Sequence, residues 1–149
     1  MSFRDRLEFS LIKEATKMNI PVIGICRGAQ LLCAMAGGSL FQHVTGHFGS
    51  HSIITDTNRE LETNSLHHQM MNLENVEHKL IAWCPEKLSK TYIGDGGSIV
   101  NVPVDFKEPE VCWIPKMNGL CIQGHPEFYS QSNEFVEYVL DLTKEYILK

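Results

Sequence analysis

An apolar run that ends on a cysteine and passes at once into a helical pattern constrains this chain more than any other segment. Ile20-Pro21-Val22-Ile23-Gly24-Ile25 reads as a strand that leads straight to Cys26. Ala29-Gln30-Leu31-Leu32-Cys33-Ala34-Met35-Ala36 follows with helical spacing. A chain that changes from strand to helix at one residue holds that residue in a strained conformation. It also needs small neighbours two positions before and after, here Gly24 and Gly28. This is the logic of a nucleophile elbow, with Cys in place of Ser. The helix N-terminus that follows is expected to favour the thiolate. A base must come from elsewhere. Gly124-His125-Pro126-Glu127 offers an imidazole with a carboxylate two residues on.

The chain has 149 residues, one domain's worth, with 43% apolar and 21% charged residues, so it can bury a core. A net charge of −5 and the absence of any Lys/Arg block argue against nucleic acid and anionic lipid as partners and for a small-molecule substrate. No apolar run reaches the length of a membrane span, and Met1 opens a charged helical pattern, not a signal peptide. The five cysteines are scattered without CxxC spacing, which reads as reduced thiols in a cytoplasmic compartment. Four of them sit in apolar runs as small buried hydrophobes. His43, His47 and His51 fall four apart, the spacing of one helical face. Thr45, Gly46 and Gly49 argue against a helix there and no carboxylate is in register, so no metal is expected. No cofactor is expected either.

Helices are predicted over Phe3–Met18, Gly28–Ala36 and Asn133–Leu148, with Asn19 ending the first and Ser132 or Asn133 capping the last. Strands are predicted at 20–25, where burial on both faces implies a central position, and at 52–57, 79–83, 111–115 and 120–123. Ser39–Ser50 reads as loop, and Leu66–Leu73 as a short helix or turn. Gly94-Asp95-Gly96-Gly97 predicts a hairpin between strands at 90–93 and 98–104. The α/β ends and the antiparallel middle imply a mixed sheet.

The stretch from Ile20 to Gln30 resembles the nucleophile segment of class I glutamine amidotransferase-like proteins. Asn64-Ser65-Leu66-His67-His68-Gln69 resembles a motif of one branch, the γ-glutamyl-γ-aminobutyrate hydrolases, and Gly124–Glu127 resembles the family's His-Pro-Glu. Arg4-Asp5 with Glu8, and Gly37-Gly38-Ser39-Leu40 with Gln42, also fit the branch. The resemblance implies a flavodoxin-like, three-layer α/β fold with a mixed, mostly parallel sheet. It implies a Cys-His-Glu triad in which Cys26 is the nucleophile, His125 the base and then the acid, and Glu127 the orienter. The implied reaction is hydrolysis of a γ-glutamyl amide through a thioester. Arg27, through its backbone N–H, Gln30, His67 and His68 fall on the family's substrate-binding positions. The family's domain starts further upstream, with strands and a glycine loop that supplies a second oxyanion donor. The expectation is therefore an N-terminally truncated sheet that another chain completes, or that a homodimer closes, or that stands as a weakly active copy. Two alternatives stand beside the hydrolase: a glutaminase subunit that feeds ammonia to a synthetase partner, and a non-catalytic subunit that keeps the triad.

Overall fold

The computed structural model covers residues 1–149. Helix α1, Phe3–Lys17, starts in a capping box. The Ser2 hydroxyl accepts the Asp5 N–H and the Asp5 carboxylate accepts the Ser2 N–H, which satisfies two orphan donors of the first turn. Asn19 ends the helix in the left-handed region at φ 54°. No residue of α1 is buried, and its Phe3, Leu7 and Leu11 are exposed. Strand β1, Val22–Ile25, then enters the sheet, and α2, Arg27–Met35, follows immediately.

The remaining elements are β2 (Ser39–Phe41), β3 (Phe48–Thr55), β4 (Glu60–Leu66), β5 (Met70–Asn72), β6 (Lys79–Trp83), β7 (Pro109–Ile114), β8 (Gly119–Ile122) and α3 (Glu134–Tyr146). Six strands form one sheet in the order β1-β8-β7-β6-β3-β4, and β2 pairs with β5 in a small second sheet. The sheet is mixed, as expected, with the flavodoxin-like α/β character of a sheet covered by helices on both faces. The expectation of mostly parallel pairing is corrected. Only β1 and β8 run parallel; β8–β7, β7–β6, β6–β3 and β3–β4 are antiparallel. Connections too short to hold a crossover helix, such as that between β7 and β8, force this.

β1 is also not central. It lies at the sheet edge, and Ile23 is 37% exposed. An apolar run signals covered faces but says nothing about the number of hydrogen-bonded neighbours. Two further readings change. Leu66–Leu73 is the end of β4 and strand β5, not a helix, because Met70 and Met71 both find cover as β5 pairs with β2. The segments around Gly94–Gly97 make only an isolated bridge, Ile93 to Ile99, about a 3₁₀ turn at Asp95–Gly97.

Side chains of β7 and β8 alternate between two cores, as the pleat requires. Cys112, Ile114 and Cys121 pack with Ala29, Leu32 and Cys33 of α2. Val111, Leu120 and Ile122 pack with Phe135, Val139 and Leu142 of α3 on the other face. Burial of each large apolar side chain contributes about 1.5–3 kcal/mol. Asn133 caps α3 by accepting the N–H groups of Phe135 and Val136. The result is three layers, helix on sheet on helix, that carry the C-terminal ends of β1 and β8 side by side. No helix is long and apolar enough to cross a membrane.

Candidate active site

Cys26 sits where β1 becomes α2. Its N–H donates to the Ile122 carbonyl at 2.7 Å, which continues the β1–β8 ladder, and its own carbonyl accepts the first helical bond from Gln30 N at 3.1 Å. Held from both sides, it adopts φ 52° and ψ −105°. A non-glycine residue in such a conformation costs about 1–3 kcal/mol and persists only where its surroundings impose it. The close approach of strand to helix is set by Gly24. A Cβ there would lie 2.6 Å from the Gly28 carbonyl oxygen and 2.6 Å from Leu32 Cδ1. Gly28 differs from expectation: a Cβ on it meets nothing within 4 Å, because it would point away from the turn. Only the first glycine of the G-x-C-x-G pattern is required by contact.

Burial pushes the Cys26 thiol above its ordinary value, against the Arg27 backbone N–H and the Gln123 side chain, which lower it; the charges of Glu127 and Glu110 add to the rise. The expectation that the helix N-terminus favours the thiolate is thus outweighed by desolvation, and the resting group is a thiol. Gln123 Nε2 lies 3.6 Å from the sulfur. Gln123 is fully buried, one residue past β8, and its backbone N–H donates to the Glu110 carbonyl at 2.8 Å.

β8 also delivers the imidazole. In the β1–β8 register Ile25 lies opposite Ile122, so Cys26 and His125 leave the same end of two adjacent parallel strands. His125 Nδ1 bonds Glu127 Oε1 at 2.5 Å, which leaves Nε2 free, and its ring stacks on Phe128 at 4.8 Å between centroids. Its backbone is clamped by Asn64 of β4: the His125 N–H donates to Asn64 Oδ1 at 2.7 Å, and Asn64 Nδ2 donates to the His125 carbonyl at 2.8 Å. Gly124 permits this, since a Cβ there would lie 2.4 Å from Thr63 Oγ1. Cys26 and His125 are half-buried and Glu127 is exposed.

The other candidate residues divide. The Arg27 guanidinium is ion-paired with Asp5 and Glu8 of α1, so its side chain ties α1 to α2 while its backbone N–H faces the sulfur. Gln30 is buried and donates through Nε2 to the Gln69 carbonyl at 3.1 Å and to Gln123 Oε1 at 3.4 Å. His67 turns inward, 5% exposed, with Nδ1 bonded to the Gln69 carbonyl at 2.6 Å and its ring 4.5 Å from that of His47. Burial lowers it to about 4, so it is a neutral imidazole. His68 is exposed and stacks on His43 at 6.0 Å. A cavity of about 580 Å³ lies elsewhere, between β5 and residues 100–109, and a groove of about 300 Å³ runs between α1, β1 and α2; neither is lined by Cys26 or His125.

Two residues of the site carried no individual role in the sequence reading. Gln123 is the polar end of an otherwise apolar strand, which was the available signal. Asn64 stood in a quoted motif, but its bond to a residue 61 positions away has no local signature.

Residues 1–58 match the family Peptidase C26. The chain is 26% identical over 153 aligned residues to the glutamine amidotransferase-like protein YvdE of Lactococcus lactis subsp. lactis, covering 93% of this chain and 59% of that protein. It is 28% identical over 119 residues to a glutamine-hydrolysing GMP synthase of Thermosynechococcus vestitus, covering 76% of this chain and 19% of that one. Among solved structures, a glutamine amidotransferase of Thermotoga maritima superposes with a TM-score of 0.61 at 19% identity, over 97% of this chain and 57% of that chain. The chain thus spans less than two thirds of the length of each.

Proposed function

We propose that this chain, which the comparisons support as a member of the Peptidase C26 and class I glutamine amidotransferase-like family, cleaves γ-glutamyl amide bonds with Cys26 as nucleophile. The observation that carries the reading is the strained Cys26, φ 52° and ψ −105°, at the mouth of a helix and beside the strand end that bears the His125–Glu127 pair. A cysteine with only a packing role has no use for that strain.

The chemistry follows from the groups present. Glu127 accepts the Nδ1–H of His125, which leaves Nε2 as the base. Nε2 takes the thiol proton as the sulfur attacks the side-chain carbonyl of the substrate. The carbonyl electrons move onto oxygen, where the Arg27 backbone N–H donates to the developing charge. The tetrahedral centre collapses and the C–N bond breaks as His125 returns the proton to the leaving nitrogen. General acid help of this kind contributes about 10²–10⁴-fold. Water, deprotonated by the same imidazole, then opens the thioester and releases the acid. The raised thiol suits this order, since proton removal accompanies attack and does not precede it. Gln30 and His68 are the side chains assigned to hold the γ-glutamyl group, with Gln123 steadying the sulfur and His67 supporting the 67–69 turn.

A second reading has a specific observation in its favour. Likeness to a glutamine-hydrolysing GMP synthase supports an amidotransferase role, in which the amine released is ammonia and a synthetase partner receives it. Free glutamine turned over without a partner, or only with one, separates the two. The primary test is mass spectrometry after treatment with a glutamine-like diazoketone. The adduct is expected on Cys26 alone, and Cys26→Ser is expected to keep the fold and lose turnover by several orders of magnitude. A folded protein labelled at no cysteine, or a Cys26→Ser variant with parental turnover, removes the proposal.

A further inference from the structure

Four potential ligand side chains, from segments spread over the sequence, meet in the interior beside the ends of β3, β6 and β7. They are His47, which precedes β3, His51 within it, Cys84, which follows β6, and Glu110 of β7. One donor atom from each lies within 4.8 Å of all the others. Glu110 Oε1 is 3.3 Å from Cys84 Sγ, 3.4 Å from His51 Nε2 and 3.6 Å from His47 Nδ1. Around a tetrahedral zinc-class ion, with bonds of about 2.0–2.3 Å to N, O and S, neighbouring ligand atoms stand roughly 3.3–3.7 Å apart.

Each imidazole aims an unpartnered ring nitrogen at this centre. His47 Nδ1 and His51 Nε2 are buried and have no hydrogen-bond partner, and the two side chains are 0% and 9% exposed. Their other nitrogens make hydrogen bonds of their own, and His51 Nδ1 also lies 3.9 Å from Cys84 Sγ. His47 Nε2 donates to Glu108 Oε1 at 3.1 Å and His51 Nδ1 to the Ser52 carbonyl at 3.0 Å. Glu108 is held by the N–H groups of Leu88 and Ser89 and by the Tyr92 hydroxyl. This is how ligating histidines are fixed in tautomer and direction, by a carboxylate or carbonyl on the far nitrogen. Two imidazoles, a thiolate and a carboxylate suit a borderline-soft divalent ion, and the two anionic ligands balance its charge inside the protein.

We propose that His47, His51, Cys84 and Glu110 form a closed, structural transition-metal site of the zinc class. The site is independent of the proposed catalysis. It joins three neighbouring strands, and the Glu110 carbonyl that receives Gln123 N–H lies on one of its ligands. On binding, the Cys84 thiol releases its proton to solvent and no electron is transferred.

The test uses the full chain, purified without chelator and loaded with Zn²⁺ or Co²⁺ alone. About one zinc per chain is expected to survive gel filtration, as a closed four-ligand site requires. The cobalt protein is expected to show tetrahedral d–d bands and a thiolate-to-cobalt charge-transfer band. Cys26→Ser is expected to keep that band and Cys84→Ser to lose it with the metal. If Cys84→Ser does not fold, Glu108→Gln reads the same site through a loss of about 10–100-fold in metal affinity. A folded parent that holds less than roughly a tenth of an equivalent would overturn the assignment. So would a charge-transfer band that survives in Cys84→Ser or vanishes in Cys26→Ser, or an affinity unchanged in Glu108→Gln.

Discussion

Alanine at the two glycines of the elbow tests the geometry with effects of opposite sign. At Gly24 the added Cβ would stand 2.6 Å from the Gly28 carbonyl oxygen and 2.7 Å from its carbon. Ordinary contact begins at 3.4 Å, so backbone must part from backbone by about 0.8 Å, the difference between 3.4 and 2.6. Leu32 Cδ1, also 2.6 Å away, can rotate aside, but the Gly28 backbone cannot. Overpacking of this kind costs about 1–3 kcal/mol, and the rigidity of the neighbour places Gly24→Ala toward the upper end. At Gly28 the Cβ meets nothing, and the residue lies in the first turn of α2 without a positive φ. There alanine reduces the freedom of the unfolded chain and adds helix propensity, a gain of about 0.4–1 kcal/mol. For a chain of this size each kcal/mol moves the melting temperature by about 2–4 °C. Urea unfolding, followed by the fluorescence of Trp83 and Trp113, reads both variants. The expected result is a lower midpoint for Gly24→Ala and a higher one for Gly28→Ala, at unchanged slope. Equal destabilisation by the two would refute the assignment of the close approach to Gly24 alone.

Three further predictions concern the site. Asn64→Ala removes both hydrogen bonds that clamp the His125 backbone and is expected to cost about 1–3 kcal/mol in urea unfolding; a small misplacement of the imidazole costs about 10²-fold in turnover, so parental turnover would deny the clamp a positioning role. Because burial raises the Cys26 thiol above its ordinary value, its alkylation is expected to accelerate about tenfold per pH unit through neutrality and to level off only in the alkaline range; a plateau near neutrality would show a preformed thiolate instead. Arg27→Ala frees Asp5 and Glu8, and since α1 buries no residue of its own, amide exchange in α1 is expected to quicken while that in α3 stays unchanged. Equal acceleration in both helices would show that Arg27 does not specifically tether α1.

The parts legible in the sequence were those written in neighbouring residues. The boundaries of α1, α2 and α3 followed from caps and periodicity, and Asn19 and Asn133 took the terminal positions their side chains favour. The turn at Cys26 could be read from one apolar strand and two glycines. What stayed hidden depends on distant residues. That β1 is an edge strand follows from pairing, which its composition does not encode. In the sequence His43, His47 and His51 show only a helical spacing with no carboxylate in register. The carboxylate partner of His47 and His51 is Glu110, brought in by β7 from the far side of β6. Just before them Gly46, at φ +80°, lets the backbone close on the Leu88 carbonyl. His67 and His68 are adjacent in sequence yet divide between interior and surface, because successive residues of extended chain point to opposite sides.

The hydrogen bond between Gln123 and the Cys26 sulfur spans 97 positions, and the clamp on His125 spans 61. No short stretch of the polypeptide can therefore assemble the reactive groups by itself, and the Gln123–Cys26 arrangement forms only when β8 slots in beside β1. That docking closes the largest loop in the molecule, an entropically demanding event of the sort that slows refolding. Regain of turnover after dilution from denaturant thus works as a clock for the final step of topology.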